Sequence, residues 1–177
     1  MGPDRVCLCG YMGVGKTEVG KRLASLLGYA FLDLDAVVSV SENQKISELF
    51  YERGESYFRA CELREARKLL DRRQMVLALG GGALTTAELL RLVRERAYLV
   101  YLQASPETLS DRIKKGNRPL LAEVESFDDF QRVHEALMNE RQKGYEQADL
   151  TVATDSLTAA QVTEQIFQAL NKGATYA

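Results

Sequence analysis

Five short apolar runs punctuate the chain, at Val6–Cys9, Phe31–Leu34, Met75–Leu79, Tyr98–Leu102 and Leu150–Ala153. Between them, apolar residues recur three and four apart, the spacing of one helix face, over 16–28, about 45–53, 55–72, 86–95, 106–113, 126–147 and 158–170. Val76-Leu77-Ala78-Leu79 and Leu99-Val100-Tyr101-Leu102 are nearly continuous in apolar residues, as strands buried on both faces must be. This alternation predicts an α/β fold in three layers, with a five-stranded parallel sheet between helices. In such sheets a ligand sits beyond the carboxyl ends of the strands, so the polar residues found there carry the chemistry.

The chain has no internal repeat, low-complexity tract or Pro/Ser-rich linker, so 1–177 is expected to form a single domain. A chain of this size buries roughly 70% of its unfolded surface and needs no disulfides. Cys7, Cys9 and Cys61 are too few and too oddly spaced for a bridge framework or a zinc site. Cys7 and Cys9 alternate along a strand and read as small hydrophobes, which points to a reducing, cytoplasmic setting. No apolar run approaches the ~20 residues of a membrane span, and no signal-like segment precedes the first strand, so a membrane role is not expected. A net charge of −2 leaves no basic face for nucleic acid, since Arg72-Arg73 and Lys114-Lys115 are short, isolated pairs.

The most specific motif is Gly10-Tyr11-Met12-Gly13-Val14-Gly15-Lys16-Thr17, a full match to the phosphate-binding P-loop. A strand-like run precedes it, and Val19, Leu23, Leu26 and Leu27 mark a helix after it. The glycines let backbone N–H groups curl around phosphate oxygens, and the helix N-terminus adds positive potential. Lys16 can reach the β- and γ-phosphates, and the Thr17 hydroxyl can bind Mg²⁺. A nucleoside triphosphate is the implied ligand.

Four further groups lie where the strands should end. Asp33 and Asp35 alternate at the close of the second strand and should share a face, with Cα atoms roughly 6.5–7 Å apart. Asp33 could hold Mg²⁺ through water, and Asp35 could take a proton from an attacking hydroxyl. Helix capping is the alternative, credible for Asp35, which precedes a helical run, but not for Asp33. Gly80-Gly81-Gly82 after the third strand would bring backbone close to a substrate, with N–H groups as anion donors. Arg59 and Arg141 stand on apolar helix stripes, where a guanidinium must be paired. Glu62 or Glu140 could pair internally, or a bound carboxylate could fill the bidentate geometry, and spacing leaves the two readings even. Finally, Lys114-Lys115-Gly116-Asn117-Arg118-Pro119 reads as a solvated loop or as a lid closing over ATP.

Taken together these residues resemble the shikimate kinase family, in the nucleoside-monophosphate-kinase-like branch of P-loop proteins. The likeness runs through residues 10–17, Asp33-Leu34-Asp35, Ile46-Ser47-Glu48-Leu49-Phe50, Gly54-Glu55, Phe58-Arg59, Glu62 and Gly80-Gly81-Gly82. It continues in Arg118-Pro119-Leu120-Leu121 and in Arg141 with Tyr145. It implies transfer of the γ-phosphoryl of ATP to the 3-hydroxyl of shikimate, with Mg²⁺ as cofactor. The partners implied are ATP and shikimate, in a monomer. By match of position, Gly13, Val14, Gly15, Lys16, Thr17 and Glu18 would contact nucleotide, with Arg112 and the lid residue Arg118. Thr17 would bind Mg²⁺ directly and Asp33 through water. Asp35 would bind the shikimate hydroxyls and act as base. Arg59, Arg141 and the Gly81 backbone would hold the carboxylate, beside Gly82. Phe50 and Phe58 would line the ring, and Glu62 would orient Arg59. The shikimate region is placed at about 33–62 and the lid at about 112–124.

Two positions depart from the family pattern. Ala78 and Leu79 stand where the family often carries Ser or Thr before the triple glycine, leaving metal support to Thr17 and Asp33. A gluconate-type kinase of the same branch would keep the P-loop and lid, but paired arginines facing a glycine turn favour a cyclic carboxylate. A non-catalytic P-loop module would have little use for Lys16, Thr17, Asp33, Asp35 and Arg118 together.

Overall fold

Alternate residues of the first strand, β1 (Arg5–Cys9), feed two different cores. Val6 and Leu8 point to one side of the sheet, and Cys7 and Cys9 to the other. The computed structural model describes residues 2–113 and 126–172. Four parallel strands join β1: β2 (Ala30–Asp33), β3 (Met75–Ala78), β4 (Tyr98–Gln103) and β5 (Leu150–Ala153), in the order β2-β3-β1-β4-β5. The P-loop strand is therefore central, with β3 and its glycine run directly beside it.

On the Val6/Leu8 side, α1 (Lys16–Leu27), α5 (Pro106–Ile113) and α7 (Ala159–Lys172) bury Val19, Leu23, Leu109, Val162 and Ile166. On the Cys7/Cys9 side lie α2 (Leu34–Glu42), α3 (Ile46–Leu70) and α4 (Ala87–Arg96). The long α6 (Phe127–Tyr145) reaches both cores, giving Phe130 to one and Tyr145 to the other. The five-stranded α/β architecture is the one expected from the alternation of patterns. Burial drives the Cys7 thiol well above its ordinary range and pushes Cys9 up to about 12, so both are neutral apolar fillers. No helix among the described residues is long and apolar enough to cross a membrane.

The two helical stretches expected at 45–53 and 55–72 are the two halves of α3, and they break where Gly54 takes non-helical φ 79 and ψ 169. Only glycine adopts that conformation without strain, and the kink folds Phe50 back onto Phe58, with ring centroids 4.7 Å apart. The second strand differs from the sequence reading: it stops at Asp33 instead of running through Leu34, which is wholly buried in α2. The apolar, β-branched stretch Leu34-Asp35-Ala36-Val37-Val38 reads like more strand, but the Asp33 cap commits it to helix.

Candidate active site

The loop between β1 and α1 has positive φ at Gly13 and Gly15, which turns successive backbone groups inward. Gly15 is the N-cap of α1 and supplies no side-chain cap, leaving the first-turn N–H groups for an anion. Lys16 Nζ donates to the carbonyls of Gly10 (2.8 Å) and Tyr11 (3.1 Å), inside the loop whose phosphates it would meet. The Glu18 side chain turns outward to Arg22, at 2.7 Å, so only its backbone belongs to this site.

Asp33 bears on two elements at once. Its Oδ1 accepts from the backbone N–H groups of Asp35 (3.1 Å) and Ala36 (3.3 Å), while Oδ2 accepts from the Thr17 hydroxyl at 3.4 Å. The expectation that capping fits Asp35 and not Asp33 is therefore reversed: Asp33 is the cap, and Asp35 lies in the first turn. The two aspartates do not share a strand face, because the strand ends between them. Ala78 pairs in register with Asp33, so a methyl group stands where the family often has a hydroxyl.

Gly80, Gly81 and Gly82 form the hub of the opposite pocket. A Cβ on Gly80 would lie 2.6 Å from Asp35 Oδ1 and 2.9 Å from Glu62 Oε1. One on Gly82 would lie 2.4 Å from Arg59 Nη2, and one on Gly81 would lie 3.1 Å from Arg141 Nη1. The same Gly81 position is 3.8 Å from the Gly10 carbonyl oxygen and from Met12 N, so the pocket meets the phosphate loop there. The absence of side chains at these three positions lets Asp35, Glu62, Arg59 and Arg141 converge on the end of β3.

The two arginines differ. Arg59 is held by Glu62 through Nη1, and by Glu55 Oε1 through Nη2 (2.9 Å) and Nε (3.1 Å). Burial works against its charge, but Glu62 and Glu55 outweigh that and hold its pKa above the ordinary value. Glu62 is wholly buried, and burial pushes it up to about 7; Arg59 opposes this, and Asp35 and Glu55 add to it. Arg141 is 6% exposed, and its Nη1 has no hydrogen-bond acceptor among the described residues. A buried guanidinium N–H without a partner is costly, and a carboxylate fits its donor geometry. Beside it, the Tyr145 hydroxyl donates to the Gly81 carbonyl and fixes the glycine turn.

Arg112, on α5, donates to the Val14 carbonyl (3.3 Å) and to the hydroxyl (3.0 Å) and carbonyl (2.8 Å) of Thr154. It ties the phosphate loop to the end of β5. Arg118 and the 114–124 portion of the lid lie outside the described residues. Sequence reasoning gave no role to Glu55, although its i, i+4 spacing to Arg59 is a signal for such a pair. It read Gly80 as part of a backbone donor run, but the close approach of Asp35 and Glu62 to Gly80 is visible only once α2 and α3 are folded against β3.

A P-loop after the central strand of a 2-3-1-4-5 sheet, facing a pocket of carboxylates and guanidinium groups, defines a P-loop phosphotransferase of small molecules. The sequence model of the family described as "Shikimate kinase" matches residues 12–171. A shikimate kinase of Chlorobium phaeobacteroides is 35% identical over 94% of this chain and 90% of its own length. The solved shikimate kinase from Acinetobacter baumannii in complex with shikimate superposes with a TM-score of 0.88 at 34% identity, covering 98% of this chain and 96% of that one. A gluconokinase from Sinorhizobium meliloti has a TM-score of 0.59 at 20% identity over 96% of this chain and 93% of that one, a likeness of fold alone. The chain belongs to the shikimate kinase family, which are ATP-dependent kinases.

Proposed function

We propose that this chain moves the γ-phosphoryl of ATP to the 3-hydroxyl of shikimate, as a cytosolic monomer with one domain over 1–177. The observation that carries the reading is the buried Arg141 Nη1, without an acceptor, beside Gly81 and against the phosphate loop. Arg141, Arg59 and the Gly81 backbone take the acceptor's carboxylate, with Gly82 alongside. Glu62 and Glu55 keep the Arg59 fork oriented, and Phe50 and Phe58 form the apolar wall. Asp35 binds the hydroxyls and accepts the proton as the hydroxyl oxygen bonds to the γ-phosphorus and the bond to the β,γ-bridging oxygen breaks. Gly13 to Glu18 bind the phosphates through the backbone and through Lys16, with Arg112 on the nucleotide side and Arg118 closing from the lid. Alignment of the two substrates and neutralisation of charge supply the catalysis.

The residues present suit Mg²⁺: the Thr17 hydroxyl and Asp33 Oδ2 lie 3.4 Å apart. A hard oxygen pair is enough for an ion that keeps several waters. When bound, the ion neutralises charge on the β- and γ-phosphates. Thr17 and Asp33 would hold it, without help from a hydroxyl at Ala78. The test is ADP release measured with shikimate, gluconate and nucleoside monophosphates in turn. Release that depends on shikimate alone is expected, and turnover of gluconate or of a nucleotide in its place would overturn the reading.

A further inference from the structure

We propose that Tyr11 is a positioning residue for the acceptor carboxylate, its ring serving as the platform that holds Arg141 against Gly81. The inference rests on the role given to Arg141 above. The guanidinium carbon lies 5.8 Å from the centroid of the Tyr11 ring, within range of a cation–π contact. The ring is itself clamped, with His134 at 4.8 Å and Phe130 edge-on at 6.4 Å. His134 and Arg141 are seven residues apart on α6, two turns along one face, so the loop residue packs against that face at both points.

The backbone of Tyr11 is fixed as firmly as its ring. Its carbonyl accepts from Lys16 Nζ at 3.1 Å and from the Val14 N–H at 3.3 Å. One residue thus has its main chain in the phosphate loop and its side chain under an arginine of the opposite pocket. Its hydroxyl is buried without a hydrogen-bond partner among the described residues, as is His134 Nδ1. The useful part of the side chain is therefore the ring face. Arg59 also lies over a ring, Phe58 at 5.2 Å, but two carboxylates orient it as well. For Arg141 the constraints are the ring and the neighbouring Tyr145 hydroxyl. A long, rotamer-rich side chain held this way is preorganised for a planar anion.

Tyr11→Leu removes the ring and keeps apolar volume, and Tyr11→Phe keeps the ring and removes only the unpartnered hydroxyl. Steady-state kinetics should show KM for shikimate raised about five-fold in Tyr11→Leu, with KM for ATP changed less than two-fold. Tyr11→Phe should restore the shikimate KM to near that of the unaltered protein. Equal changes in both KM values, no change in either, or the same loss in Tyr11→Phe would overturn the inference. Should Tyr11→Leu fail to fold by circular dichroism, Tyr11→Met carries the same expectation. Arg141→Ala run in parallel separates the two claims. If it leaves the shikimate KM unchanged, the pocket assignment has failed. If it raises KM while Tyr11→Leu does not, only the platform role has failed.

Discussion

The loop at 10–15 presents backbone groups from one contiguous stretch of chain, whereas the pocket opposite is assembled from side chains on α2, α3 and α6 around three glycines. A backbone site tolerates most side-chain changes that keep the turn, because its donors are main-chain N–H groups. A side-chain site has each member held by another, so single substitutions propagate. The proposed donor and acceptor halves should therefore fail in different ways, although they meet around Gly81, at Tyr11 under Arg141 and at Asp33.

The largest effect is expected at Asp35. Asp35→Asn should lower kcat by about 10²–10⁴-fold, the usual contribution of a positioned general base, with KM for ATP nearly unchanged. Rapid-quench measurement of the chemical step checks this, and a loss seen only in KM would reassign Asp35 to binding. Next come the arginines. Arg59→Ala and Arg141→Ala should each weaken shikimate by about 2–5 kcal/mol, the scale for stranding a charged partner, while ATP binding is unaltered. They should part company in stability. Arg59→Ala leaves the buried Glu62 without its cation, and Arg141→Ala removes an N–H that lacks an acceptor. Urea midpoints should fall more for the first than for the second.

A gentler change targets the glycine hub. Gly82 has φ −103, which alanine accepts, but the added Cβ would sit 2.4 Å from Arg59 Nη2. Gly82→Ala should raise the shikimate KM by about ten-fold through displacement of that guanidinium, on the few-kcal/mol scale of overpacking, and leave KM for ATP alone. The smallest effect concerns pH and is read on stability. Glu62 is held at about 7 in the folded protein against an ordinary 4.5, so the native state keeps an extra proton between those values. Its contribution to stability is full below 4.5 and is lost as pH rises through 7. Burial holds His134 below its ordinary 6.5, which tilts the slope the other way. Subtracting the Glu62→Gln curve from the unaltered one cancels the histidine. The difference should fall with rising pH, and a flat difference would place Glu62 at an ordinary pKa.

Legibility divides along the same line. The P-loop could be read residue by residue, because a backbone site is a local pattern of glycines with a lysine and a threonine. The parallel sheet was equally plain from alternating periodicity, and the triple glycine marked the end of β3. The capping assignment went the wrong way because Leu34 to Val38 has the composition of a strand, and only the folded chain reveals that Asp33 bonds the first turn. Whether Arg59 and Arg141 met internal carboxylates was even on spacing, and the structure answers differently for each. Glu55 and Glu62 flank the first along α3, while nothing on α6 supplies an acceptor to Nη1 of the second. Contacts between distant elements, such as Gly80 with Asp35 and Tyr11 with His134, have no sequence signature at all.

The account stands on the acceptor pocket being made for a carboxylate, and the most direct test changes the ligand instead of the protein. Turnover of shikimate should be compared with that of its methyl ester, which keeps every hydroxyl and loses the anion. The account predicts a kcat/KM for the ester lower by about 10²-fold or more, the scale of an uncompensated buried charge, with KM for ATP unmoved. It also predicts that Arg141→Ala narrows the gap. Equal turnover of acid and ester would contradict it.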